Sequence, residues 1–125
     1  MMNKVIISLG SNISPDHNIP SAILLLSLKH RLLDITKVEI TDPIGIEDQS
    51  KFHNAALLVE TWFSQDAFNT FLKEIEDTLL RDRSAPKFGP RTIDLDIVVW
   101  NGNIVDNDYY KRDFLKRHTD MLLNN

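Results

Sequence analysis

Asp94 and Asp96 are carboxylates two residues apart, set among the apolar residues Ile93, Leu95 and Ile97. A strand puts residues i and i+2 on one face, so the spacing predicts two carboxylates ~6–7 Å apart on a rigid support. At that distance they repel each other unless cations lie between or beside them. Oxygen donors with no histidine between them suit Mg2+ better than zinc. The plainer reading of a lone Asp-x-Asp is a solvent-facing strand of alternating polarity. Just upstream, Arg81, Arg83, Lys87 and Arg91 fall within a stretch interrupted by Pro86, Gly89 and Pro90. Guanidinium forks match phosphate oxygens in bidentate geometry. Alone, such a cluster is equally a solvated helix end, where cations are favoured by the helix dipole. Together, carboxylates that hold cations and a basic loop that takes remaining charge are what a metal–triphosphate complex needs, and phosphate chemistry is the better reading.

A second constellation spans the turn-rich segment Thr41-Asp42-Pro43-Ile44-Gly45 to Gln49 and the following Phe52-His53-Asn54. An aromatic near a bifunctional amide could stack on and hydrogen-bond a flat heterocycle. In isolation Phe52 reads equally as a rim or core residue and Asn54 as a strand-edge cap. Gly10-Ser11-Asn12 is too short for a phosphate-binding loop, and Gly-x-x-x-x-Gly-Lys-Ser/Thr is absent. His17, His30 and His53 lack metal-ligand spacing and read as surface or capping residues.

The elements that must position these residues follow from the apolar periodicity. Val5–Leu9 reads as a buried strand ending at a turn. Ser14-Pro15-Asp16 is a helix-start signature, with regular helix expected from Asn18 or Pro20 and apolar residues running to Leu33. Ile35–Thr41 reads as a second strand and Phe52–Trp62 as a third. Ser64 can cap a helix whose apolar face is Phe68, Phe71, Leu72, Ile75 and Leu79. Arg91–Trp100 reads as the fourth strand. The order β-α-β-β-α-β predicts an α+β, ferredoxin-like fold, an antiparallel sheet with two helices on one face. Residues 1–105 are expected to form the single domain, and the polar stretch 106–125 a tail of uncertain order.

The composition sets bounds. The chain has 125 residues, no cysteine and a formal net charge of -4. That length is one domain able to bury a core without disulfides, and thiol chemistry is excluded. The acidic balance argues against general nucleic-acid binding. No apolar run approaches a membrane span, and Met1-Met2-Asn3-Lys4 leads straight into a strand. The expectation is a cytoplasmic protein acting on small molecules, with no nucleic acid and no membrane, as a monomer or weak homo-oligomer.

Phe88-Gly89-Pro90-Arg91-Thr92-Ile93-Asp94-Leu95-Asp96-Ile97 resembles the signature of the 6-hydroxymethyl-7,8-dihydropterin pyrophosphokinase family of the folate pathway. Ile7–Asn12, Thr41–Gly45 with Gln49, Phe52–Ala56 and Ile75-Glu76 are similar to other parts of that family, so the resemblance runs over roughly residues 5–105. It implies Mg2+-dependent transfer of pyrophosphate from ATP to the pterin hydroxymethyl group, giving AMP. Two Mg2+ ions would sit on Asp94 and Asp96. Arg81 and Arg91 would contact ATP phosphates, and Arg83 would belong to a catalytic loop. Glu76, Lys87, Ile97 and His118 would lie on the nucleotide side. Thr41, Pro43, Ile44, Phe52 and Asn54 would line the pterin pocket, with Phe88 where the family commonly has a tryptophan.

The chain departs from the pattern at Asp42, where the family often has proline. Its Arg117-His118-Thr119-Asp120-Met121 matches the family's ATP-binding segment only loosely. Family members usually run further than Asn125, with an arginine and a pterin-stacking aromatic there, so an incomplete pterin sandwich is expected. Two alternatives are therefore weighed: a family member that binds nucleotide or pterin without turnover, and an unrelated ferredoxin-like module with another Mg2+-dependent phosphate reaction. Joint retention of Glu76, Arg81, Arg83, Arg91, Asp94 and Asp96 favours catalysis, and the Thr41–Asn54 segment favours pterin.

Overall fold

A computed structural model describes residues 1–124. Its elements are β1 (Asn3–Ser11), α1 (Pro15–Ser27), β2 (Arg31–Ile35), β3 (Glu39–Thr41), β4 (Phe52–Thr61), α2 (Gln65–Thr78), β5 (Asp94–Trp100), β6 (Asn103–Ile104), a 3-10 turn (Asn107–Tyr110) and α3 (Asp113–Leu123). The sheet is antiparallel, in the order β2-β4-β1-β5-β6, with β3 also paired to β4. This is the expected α+β, ferredoxin-like arrangement.

Several boundaries differ from the expectation: the first helix stops at Ser27 rather than running to Leu33, and Arg31 already begins the next strand. The second strand is two pieces, because Thr36 leaves the ladder and binds Ala56, its Oγ1 accepting the Ala56 N–H at 3.0 Å. Helix α1 starts at Pro15 and runs through Pro20, whose ring lies on the exposed side while Ile19, Ala22 and Leu26 are buried. Strand β5 begins at Asp94 rather than Arg91.

The polar C-terminal stretch also differs from the expected tail over its described residues, 106–124. It adds a helix on the sheet face opposite α1 and α2. Leu115, His118, Thr119 and Leu122 recur at helical spacing and are buried, while Met121 and Leu123 are exposed. A narrow apolar stripe on a charged helix is enough to dock it, since burial follows the stripe and not the mean polarity. Each face of the sheet therefore has its own core. Val5, Ile7, Leu9, Leu57 and Val59 pack with α1 and α2 around Phe68 and Leu72. Ile6, Ala56 and Leu58 pack with Val98, Val99, Leu115 and Leu122 on the α3 side. A register shift opposite Ile6/Ile7 puts both Val98 and Val99 on that second face.

Candidate active site

The strand parity fixes where the chemistry lies. Ile93 and Leu95 enter the core under α1 and α2, so Asp94 and Asp96 face the α3 side, opposite Gly10 and Ser8 of β1. A cleft of about 330 Å3 opens there, floored by Ser8, Gly10, Asp94 and Asp96. Thr41, Phe52 and Asn54 form one wall; Arg81, Arg83, Lys87, Phe88 and Arg91 form another; Arg112, Phe114 and His118 come from the C-terminal segment. Gly10 is a glycine for a local reason: a Cβ there would stand 2.9 Å from the Asn54 side-chain oxygen.

Helix α2 and its ending aim the cations. Ser64 caps the start, accepting the Ala67 N–H at 3.2 Å. At the other end Leu80 takes a left-handed φ of 63°, and the Arg81 N–H reaches back to the Glu76 carbonyl at 3.0 Å. That turn folds Arg81 over Glu76. Glu76 is fully buried on the same helix face as Leu72 and Ile75. Its Oε2 accepts the Leu95 N–H at 2.7 Å and lies 2.8 Å from Arg81 Nη1. Its Oε1 takes Arg83 Nη1 at 3.2 Å and Lys73 Nζ at 3.5 Å. The Leu95 N–H is free for this because β6 pairs β5 only at Val99 and Trp100.

The two aspartates differ in what surrounds them. Asp94 is saturated: Arg81 Nη1 donates to Oδ1 and Arg91 Nη1 to Oδ2, each at 3.0 Å. Arg91 also donates to the Lys87 carbonyl. Among the described residues Asp96 has only Lys73 Nζ as an ion-pair partner, at 3.9 Å. Its carboxyl is pushed up to about 7, first by burial at the cleft floor and then by the Asp94 charge, with Lys73 pulling the other way. The less neutralised carboxylate is the natural seat for an added cation. Among the described residues no group of three or more His, Cys, Asp or Glu could enclose a metal by itself. Two carboxylates that leave further positions to phosphate oxygens fit Mg2+, which is seldom caged by protein alone.

On the opposite wall Asn54 Nδ2 donates to Thr41 Oγ1 at 2.6 Å, while Phe52 is half-buried beside them. His118 is buried, its Nε2 3.0 Å from Glu39 Oε1. Arg117 Nη2 donates to the same carboxylate at 2.6 Å. Besides Glu76, Arg83 grips Asp77 Oδ1 at 2.9 and 3.1 Å.

Most of the site residues expected from sequence thus converge on one cleft. Three do not line it. Glu76 lies beneath the wall and acts on Arg81, Arg83 and Lys73 rather than facing the cavity. Pro43 stays outside the lining, and Ile97 lines an adjoining hollow that shares Asp96, Asp106 and Asp108 with the cleft. Sequence reasoning missed Lys73, Arg112, Phe114 and Asn12. Lys73 was findable, since it stands one turn before Glu76 on the helix.

The site is thus a ferredoxin-like domain's carboxylate pair, one member held by arginines and the other open. Comparison with known proteins makes this specific. The family model described as 7,8-dihydro-6-hydroxymethylpterin-pyrophosphokinase matches residues 6–122, and the chain belongs to that family. The 2-amino-4-hydroxy-6-hydroxymethyldihydropteridine pyrophosphokinase of Bacillus subtilis is 34% identical over 111 residues, covering 86% of this chain and 66% of that protein. The protein of the same name from Pseudomonas aeruginosa is 31% identical over 113 residues, 85% of this chain and 67% of the relative. The one from Haemophilus influenzae is 33% identical over 106 residues, 82% and 65% respectively. The chain spans about two thirds of the length of these relatives. Among the described residues no helix is long and apolar enough to cross a membrane.

Proposed function

We propose that the chain transfers pyrophosphate from ATP to 6-hydroxymethyl-7,8-dihydropterin, releasing AMP. The observation that carries this reading is the unequal carboxylate pair under the basic loop, Asp94 held by two arginines and Asp96 open. The pterin hydroxyl oxygen forms a bond to the β-phosphorus, the bond from that phosphorus to the α–β bridging oxygen breaks, and the hydroxyl proton is lost. Such a transfer needs charge neutralisation and in-line positioning more than covalent chemistry. Two Mg2+ ions, held by Asp94 and Asp96, would supply part of that neutralisation and lower the pKa of the attacking hydroxyl.

The chain's own residues do the rest. Arg81 and Arg91 exchange Asp94 for phosphate oxygens, which turns the resting ion pairs into a charge reserve beside the metal site. Arg83 and Lys87 take charge from the loop. Thr41, Ile44, Phe52 and Asn54 receive the heterocycle, Phe52 by stacking and the Asn54 amide by hydrogen bonds. Phe88 covers the cleft, and His118 stands on the nucleotide side. Free small-molecule substrates fit a cytoplasmic monomer or weak homo-oligomer.

The test mixes purified protein with ATP, Mg2+ and hydroxymethyl-dihydropterin and follows AMP. Pterin-dependent AMP is the expected result. No AMP, with clear calorimetric binding of the pterin, would leave a binding protein instead.

A further inference from the structure

Helix α3 reaches the cleft at its start, and a tie to the sheet lies one turn further on. Arg112, Phe114 and His118 line the cleft. They include an arginine and an aromatic, the two residue types expected only beyond Asn125. The bonds of Tyr109 and Lys116 to Asp120, at 2.5 and 2.8 Å, stay within the C-terminal segment. Those of Arg117 and His118 cross to the sheet, and both end on Glu39. Arg117 Nη2 reaches Glu39 Oε2 at 2.6 Å, and His118 Nε2 stands 3.0 Å from Oε1. An ionised carboxylate only accepts, so His118 Nε2 is the donor of that pair.

Glu39 is the register partner of Asn54, and Thr41 of Phe52. Opposed residues, and residues two apart, share one face of a sheet, so Glu39 stands on the face of the Thr41, Phe52 and Asn54 wall. On the helix, Phe114 and His118 are one turn apart, with ring centroids at 6.2 Å. A line of contacts therefore runs from the Asn54 rung to Glu39, to the buried His118 ring and to the Phe114 ring at the cleft. The apolar stripe of Leu115 and Leu122 docks the helix but cannot set this alignment, because apolar contact is non-directional. We propose that Glu39 is a positioning residue that fixes α3 on the sheet and, through His118, holds the Phe114 ring at the heterocycle side of the cleft. Glu39 does not itself line the cleft. The choice of a pterin as probe rests on the pyrophosphokinase reading; the latch between Glu39 and α3 does not.

The experiment uses the full chain with Glu39→Ala, Phe114→Ala and the double variant. Affinity for 6-hydroxymethylpterin is measured by calorimetry with Mg2+ and α,β-methylene ATP present. Each single variant should bind about 10-fold more weakly. The double variant should bind no more weakly than Phe114→Ala, because Glu39 acts through that ring. Native affinity in Glu39→Ala overturns the proposal, and so do losses that multiply in the double variant. In the ligand-free chain, hydrogen exchange at 114–120 should quicken by about 5-fold or more in Glu39→Ala; unchanged exchange overturns the latch. If the native chain binds no pterin, the pyrophosphokinase reading fails, and the exchange measurement decides the latch. Arg117, with a side chain 56% exposed, holds the latch from the helix side, so Arg117→Ala carries both measurements if Glu39→Ala fails to fold.

Discussion

Glu76→Gln is the substitution that tests how the cleft is held. Glu76 is fully buried, meets Arg81 at 2.8 Å and Arg83 at 3.2 Å, and accepts the Leu95 N–H at 2.7 Å. Breaking a buried ion pair from one side costs about 3–5 kcal/mol when the partner is left stranded. Here the partners are not stranded: Arg81 keeps Asp94 at 3.0 Å, and Arg83 keeps Asp77 at 2.9 Å. The Arg83 pair is also 44% exposed on the arginine side, so its loss weighs little. What remains is the charge-assisted bond to Arg81, about 1.5–3 kcal/mol, and a weakened bond to Leu95. The expected loss is about 2–4 kcal/mol, or an unfolding midpoint lowered by about 10–15 °C. Urea and thermal unfolding of the ligand-free chain measure it. Glu76→Ala should cost about 1–3 kcal/mol more, because the Leu95 N–H then has no acceptor. A Glu76→Gln protein within about 1 kcal/mol of native would refute the view that this carboxylate organises the cations.

Asp96→Asn should leave the fold intact by circular dichroism while Mg2+-dependent nucleotide binding falls by about two orders of magnitude; normal binding in calorimetry would show that the metal assignment is wrong. His30 gives a pH prediction. It is buried among Phe63, Phe68 and Phe71 at ring distances of 4.8, 5.1 and 4.6 Å, and its Nε2 has no hydrogen-bond partner among the described residues. Burial, then Lys29, holds its pKa below 6.5, so the unfolded chain takes up the proton first. Stability is therefore lost as pH falls through about 6.5 and below. His30→Phe should show a flatter fall in unfolding midpoint from pH 7.5 to 5.5, and equal slopes in the two proteins would exclude this source.

The sequence was most legible where chemistry and periodicity agreed. Alternation placed Asp94 and Asp96 on one face and Leu95 on the other, and the structure keeps that parity. The basic loop was legible as a cluster, but not as a set of partners. Its arginines divide between Asp94, Glu76 and Asp77 only because α2 ends in a left-handed turn at Leu80, which no glycine announces. Glu76 carried a readable signal: it falls on the same helix face as Leu72, Ile75 and Leu79, and a carboxylate on an apolar face must be paired. Helix α3 had an indirect one. Val5-Ile6-Ile7 and Ala55-Ala56-Leu57-Leu58-Val59 are apolar on both faces, which a sheet covered on one side would not need. That run demanded a second layer, and the only unassigned stretch was 106–125. Asn12 had no signal in spacing at all. Its partners Gln49, Ser50 and Arg91 are brought to it by the sheet register, and hydrogen bonds across such separations are written in the topology rather than in any local pattern.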